Sequence, residues 1–77
     1  MTLTLFVTEH CKACDRVKLQ LANLLYGRKD IKLKVEDITH SNRMGVVIVP
    51  ALYIENELYA YGDLNEKKFL EEIKGKR

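Results

Sequence analysis

Apolar side chains recur along this chain with two different spacings, and the change of spacing separates strands from helices. Over residues 2–8, Leu3, Leu5 and Val7 alternate with Thr4, Phe6 and Thr8. Period-two alternation marks a strand, and Phe6 on the second face predicts that both faces are covered. Over 15–26 the spacing changes. Val17, Leu21, Leu24 and Leu25 fall at i, i+4, i+7 and i+8, the single apolar stripe of an amphipathic helix. Arg16, Lys18, Gln20 and Asn23 lie mainly off that stripe. Gly27 is placed to cap the C-terminal end, with Arg28 and Lys29 beside the negative end of the helix dipole.

Residues 31–38 alternate again. Ile31, Leu33 and Val35 face one way and Lys32, Lys34 and Glu36 the other, which predicts a strand with one exposed face near an edge of the sheet. The polar stretch 39–44 has room for one helical turn, capped by Thr39 or Ser41. An apolar run over 46–54 is broken by Pro50, which cannot donate to a ladder, so the next strand starts after it, at 51–54. Glu55-Asn56-Glu57 is a tight turn that returns the chain as a strand over 58–61. Gly62 ends that strand. Asp63 followed by Glu66 has capping-box spacing, and Phe69, Leu70 and Ile73 form the inward side of a helix running to about Lys74. The predicted order is β-α-β-(short turn or helix)-β-β-α. This is an α/β domain with a mixed four-stranded sheet and helices on its faces. Its first two strands are parallel through a right-handed crossover.

Length and composition narrow the function. Seventy-seven residues allow one domain, 1–77, with a single core. With 47% hydrophobic and 31% charged residues the chain reads as an ordinary globular protein. A net charge of +2 is too small to argue for nucleic acid. The basic end Lys74-Gly75-Lys76-Arg77 reads as a solvated helix end. No run reaches the roughly 20 apolar residues of a membrane span. The start Met1-Thr2-Leu3-Thr4 lacks a basic region and a cleavage site, so a cytoplasmic location is expected. A monomer is expected at this size. In such a compartment two cysteines argue against a structural disulfide framework and toward redox catalysis or metal binding.

Those two cysteines sit in Thr8-Glu9-His10-Cys11-Lys12-Ala13-Cys14-Asp15, where the first strand gives way to the first helix. A helix N-terminus carries partial positive charge and unpaired amides. It lowers the pKa of a thiol placed there, and the thiolate is the reactive species.

Two separate motifs make the chain resemble the thioredoxin/glutaredoxin superfamily over nearly its whole length. One is Cys11-Lys12-Ala13-Cys14 after the first strand. The other is the run from Met44 and Gly45 through Val49-Pro50 to Ile54, similar to the thioredoxin pattern of Gly, branched residues, Pro and a hydrophobic strand. The length is like that of small thioredoxin-like proteins of archaea and bacteria. The resemblance implies that Val49-Pro50 is a cis peptide lying beside the cysteine pair, and that the backbone of Val49 pairs with an extended substrate segment. Several positions depart from the pattern. Thioredoxins carry Trp before the first cysteine and Gly-Pro between the two; here these are His10 and Lys12-Ala13. Their buried acid, six residues before the first cysteine, is here Leu5. Glutaredoxins place a Lys three residues before the first cysteine, here Thr8, and Gly-Gly ahead of the last helix, here Tyr61-Gly62. Val49-Pro50 and Gly62-Asp63 nonetheless suit glutathione.

The chemistry this implies is dithiol–disulfide exchange with protein substrates, with no cofactor. Cys11 is the expected attacking thiolate. Cys14, one turn further in, resolves the mixed disulfide. The two-residue spacing brings both sulfurs onto the first turn, close enough to close a disulfide. A disulfide-bearing protein and a thiol-regenerating reductase are the partners. The potential is expected in the reducing half of the family range of about −270 to −120 mV. Lys12 adds positive charge near Cys11, or is simply a solvated lysine. His10 can hydrogen-bond the thiolate or deliver a proton, or only shape the loop. Glu9 can relay protons for Cys14 in place of the missing acid, while its charge raises the Cys11 pKa and opposes Lys12. His40 reads as a loop residue, and Tyr53, Tyr59 and Tyr61 as strand packing. Three alternatives remain. A soft-metal carrier would hold Cu(I) on the same cysteines, but such domains run β-α-β-β-α-β; a zinc site would need His10 and His40 as well. A glutaredoxin-like reductase would use glutathione. A redox-inert adaptor would not use the cysteines at all.

Overall fold

The computed structural model describes residues 1–40, 42, 45, 46 and 48–75. Six elements follow one another: β1 (Thr2–Val7), α1 (Lys12–Leu24), β2 (Lys32–Asp37), β3 (Ala51–Ile54), β4 (Glu57–Tyr61) and α2 (Glu66–Gly75). The four strands form one sheet in the order β2-β1-β3-β4. β1 and β2 are parallel, and β3 runs antiparallel to both β1 and β4. The predicted element order and the mixed sheet are therefore those of the structure.

β1 is the centre of the sheet because both of its faces are apolar. Leu3, Leu5 and Val7 point into the larger core with Leu52 and Ile54. Both helices cover this one face. Cys14, Val17 and Leu21 enter the core from α1, and Phe69 and Ile73 from α2. Phe69 is fully buried, and its ring meets Tyr59 edge-on at 6.0 Å. The opposite face carries a smaller cluster of Phe6, Val46 and Ala51, with Tyr53 edge-on to Phe6 at 5.1 Å. Asn42 holds Val46 there: its side chain accepts from the Val46 N–H (2.9 Å) and donates to the Val46 carbonyl (2.6 Å). The helical turn expected within 39–44 involves Ser41, Arg43 and Met44, which lie outside the described residues.

Four boundaries differ from expectation. α1 starts at Lys12 rather than at residue 15, because Cys11 itself caps it. Its C-terminal cap is Leu25, and Gly27 sits two residues beyond at φ +79°. At α2, Asn65 is the capping side chain, accepting from the Lys68 N–H at 3.0 Å, so Asp63 and Glu66 do not form the capping box. Asp63 instead pairs with Arg16 across to α1 at 3.1 Å, and Glu66 accepts from Gln20 at 3.0 Å. β4 starts at Glu57, leaving a turn of Glu55 and Asn56 in which Glu55 takes φ +58°. β2 lies at an edge, as its alternation predicts, and there Val35 stays 43% exposed.

Candidate active site

The topology gathers the chain's chemistry at one end of the sheet. The C-terminal end of β1 leads to the cysteines. Phe6 pairs with Ala51, so the antiparallel β3 begins at this same end, immediately after Val49-Pro50. Ala51 in turn pairs with Tyr61, which brings in the exit of β4. The Gly62 N–H donates to the Pro50 carbonyl at 2.7 Å. The exit of β2 is tied in as well, through the Ile38 N–H to the Val7 carbonyl at 2.9 Å.

Cys11 and Cys14 are joined in a disulfide, their Cα atoms 5.2 Å apart. Their environments differ. Cys11 is the extended N-cap of α1 and half-buried, whereas Cys14 is 2% exposed and belongs to the main core. The Cys14 N–H donates to the Cys11 sulfur at 3.0 Å, and the Asp15 N–H to the Cys11 carbonyl at 3.2 Å. A cap normally offers oxygen to these orphan amides. Here a sulfur does so. Serine, threonine, aspartate and asparagine are the usual cap signals. A cysteine in that role is why the helix start was placed too late from sequence.

Val49-Pro50 is a cis peptide. Pro50 is fully buried, and Val49 packs against the same core cluster as Cys11. Ile48 is 51% exposed and Tyr61 42% exposed, so the Pro50 side of the site presents apolar surface. Lys12 is exposed at the first helical position, and His10 is exposed in the loop.

The other singled-out residues fall as follows. His10 takes φ +59°, the left-handed region, directly ahead of Cys11. The Glu9 carboxylate lies 3.8 Å from His40 Nε2 at the surface, and its backbone N–H donates to the Thr39 hydroxyl at 3.0 Å. The acid expected to serve Cys14 thus faces His40, which lies in a loop as expected. Leu5 is fully buried, and among the described residues no polar or charged side chain is buried. No group of three or more His, Cys, Asp or Glu side chains gathers into a metal site among the described residues. No described helix is long and apolar enough to cross a membrane.

Sequence reading missed the Asp37–Thr39 pair. The Thr39 N–H donates to Asp37 Oδ1 at 2.8 Å. Hydrogen bonding from the Thr39 side chain and backbone holds the Asp37 carboxyl below its usual range, with His40 adding to the effect. The signal was available: an aspartate accepting from the amide two residues on is a standard local turn. Arg16–Asp63 had no such signal, because only the tertiary fold brings those residues together.

Residues 1–74 match the sequence profile of the thioredoxin domain family. No curated protein gives a significant match to the chain.

Proposed function

We propose, since the chain belongs to the thioredoxin domain family, that it exchanges its dithiol with disulfides of protein substrates through Cys11 and Cys14. The observation that carries this reading is the asymmetry of the pair: one sulfur half-exposed at the helix cap, the other 2% exposed in the core. The Cys11 thiolate attacks one sulfur of a substrate disulfide. A Cys11–substrate disulfide forms, and the other substrate sulfur leaves as a thiolate that takes a proton from water. Cys14 then loses its proton and attacks the Cys11 sulfur. The mixed disulfide breaks, the second substrate sulfur leaves as a thiolate that takes up a proton in place of the one Cys14 released to water, and the Cys11–Cys14 disulfide forms. The substrate gains two electrons and the protein loses two. A partner reductase returns them.

The helix N-terminus and the Cys14 amide favour the Cys11 thiolate. Lys12 adds positive charge beside it, and His10 supplies a titratable group next to it in sequence. Glu9 lies in the same loop, with its carboxylate facing His40 at the surface. The backbone at Val49-Pro50 receives an extended substrate segment. The observed order, with β2, β3 and β4 in succession between the two helices, differs from the β-α-β-β-α-β order of soft-metal carrier domains.

Trapping tests the assignment. With a disulfide-bearing protein such as insulin, Cys14→Ser should accumulate a mixed disulfide and Cys11→Ser should not. The reverse pattern overturns the roles of the two cysteines. Absence of any mixed disulfide, with no insulin reduction by the unaltered chain, sinks the exchange reading.

A further inference from the structure

We propose that Thr39 is a positioning residue for the attacking thiol, holding a strained His10 peptide so that Cys11 stays at the head of α1. The proposal rests on the assignment of Cys11 as nucleophile and adds to its machinery a residue from the bend just beyond β2.

Only Thr8, Glu9 and His10 link the last residue of β1 to Cys11. Within this short loop His10 sits at φ +59°, a region that side chains with a Cβ rarely adopt. Such a conformation persists only where its surroundings over-determine it, and an observed outlier beside a reactive group is a reason to look for what holds it. Anchors lie on both sides. Downstream, Cys11 is fixed by the Cys14 amide on its sulfur and the Asp15 amide on its carbonyl. Upstream, the Glu9 N–H is held by the Thr39 hydroxyl at 3.0 Å.

Thr39 can serve as an anchor because it is itself fixed. Its N–H donates to Asp37 Oδ1 at 2.8 Å, and the neighbouring Ile38 N–H extends the β1–β2 ladder onto Val7. His40, next in the chain, faces the Glu9 carboxylate at 3.8 Å. The exit of β2 therefore grips the loop through both the backbone and the side chain of Glu9. Release of the upstream anchor lets His10 relax to a negative φ. That relaxation turns the chain at Cys11 and moves its sulfur off the Cys14 amide. The thiolate then loses a hydrogen bond to its charged form, and its pKa rises.

The test compares Thr39→Val, which removes the hydroxyl at nearly constant shape, with Thr39→Ser, which keeps it. The readout is alkylation of the reduced full chain by iodoacetamide across pH. Trypsin cleaves after Lys12, so Cys11 and Cys14 are read in separate peptides. Thr39→Val should move the Cys11 profile to higher pH and slow its alkylation near neutrality about three- to tenfold, the size of one hydrogen bond. Thr39→Ser should overlay the unaltered protein. Adding His10→Gly to Thr39→Val should restore part of the lost rate, because glycine holds a positive φ without side-chain strain. Circular dichroism and the urea midpoint should stay close to the unaltered values, since Thr39 and Glu9 are exposed. If Thr39→Val does not fold, Thr39→Ala is read in the same way. A Cys11 profile unchanged in Thr39→Val, or shifted equally in Thr39→Ser, overturns the proposal. Insulin reduction by the unaltered chain is measured alongside. Its failure removes the exchange reading, while the alkylation comparison still decides whether Thr39 positions the thiol.

Discussion

Placing an aspartate at Leu5 measures how dry the core around Cys14 is. Leu5 is fully buried, flanked by Val35 on one strand and Leu52 on the other, in the cluster that contains Cys14. Losing the leucine's burial costs about 2 kcal/mol. The new carboxyl has an unfolded pKa of about 3.9, and burial without a partner raises it by roughly 3–5 units. The folded protein must then hold it protonated. At pH 7 that costs about 1.36 × (7 − 3.9), or about 4 kcal/mol; at pH 5 it costs about 1.36 × (5 − 3.9), or about 1.5 kcal/mol. The sign follows from a folded pKa raised above the unfolded one: the ionisation penalty is absent below about pH 4 and grows until the folded pKa is passed. Leu5→Asp should therefore lose about 6 kcal/mol at pH 7 and about 3.5 at pH 5. The whole domain has roughly 4–12 kcal/mol at its length. Urea unfolding at both pH values reads this directly, with Leu5→Asn as the control that cannot ionise. A loss below about 2 kcal/mol at pH 7, or an Asp variant that matches Asn at both pH values, would refute the reasoning. It would mean that water or a polar group reaches this part of the core.

Other expectations are local. Phe69→Ala, at the largest fully buried side chain, should cost about 3–5 kcal/mol in urea unfolding. Asn65→Ala should cost about 1 kcal/mol by removing the cap of α2. Asp63→Ala should stay within about 0.5 kcal/mol, because its pair with Arg16 is mostly solvated; the opposite ranking would restore Asp63 as the cap. Asp37 has a folded pKa held low by Thr39 and then His40. Its contribution to stability is thus present above the unfolded carboxylate pKa and lost as pH falls through the folded one. Asp37→Asn should flatten that acid limb, and an NMR titration of the Asp37 carboxyl should show a midpoint below the ordinary aspartate value.

Much of the fold was legible because its strands and helices obey simple periods. The period-two run at 2–8 and the stripe from Val17 to Leu25 each point to one element and to one buried side. What could not be read was the competition for a few polar groups. Asp63 and Glu66 have the spacing of a capping box, yet Arg16 and Gln20 on α1 claim their carboxylates, and Asn65 does the capping. Glu9 lies two residues before Cys11, and only the fold shows that His40 stands opposite its carboxylate. Val35 alternates like a core residue, but an edge strand leaves it partly uncovered. The cysteine pair was visible as a motif. The capping role of Cys11 was not, because sulfur is seldom found there. In each case a local pattern was correct about which groups need partners and silent about who supplies them.

The central place of β1 also has a consequence in time. On the ribosome β1 is made before β3, and Leu3 cannot face Ile54, or Phe6 face Ala51, until β3 has been added. Domains fold as units once their parts exist, and pairings distant in sequence come slowly. Through that interval Cys14 has no core to enter. Until then the two thiols, three residues apart, lack the difference in burial that separates them in the folded chain. The division between a sulfur that meets the world and one that waits beneath it is acquired only when the sheet closes.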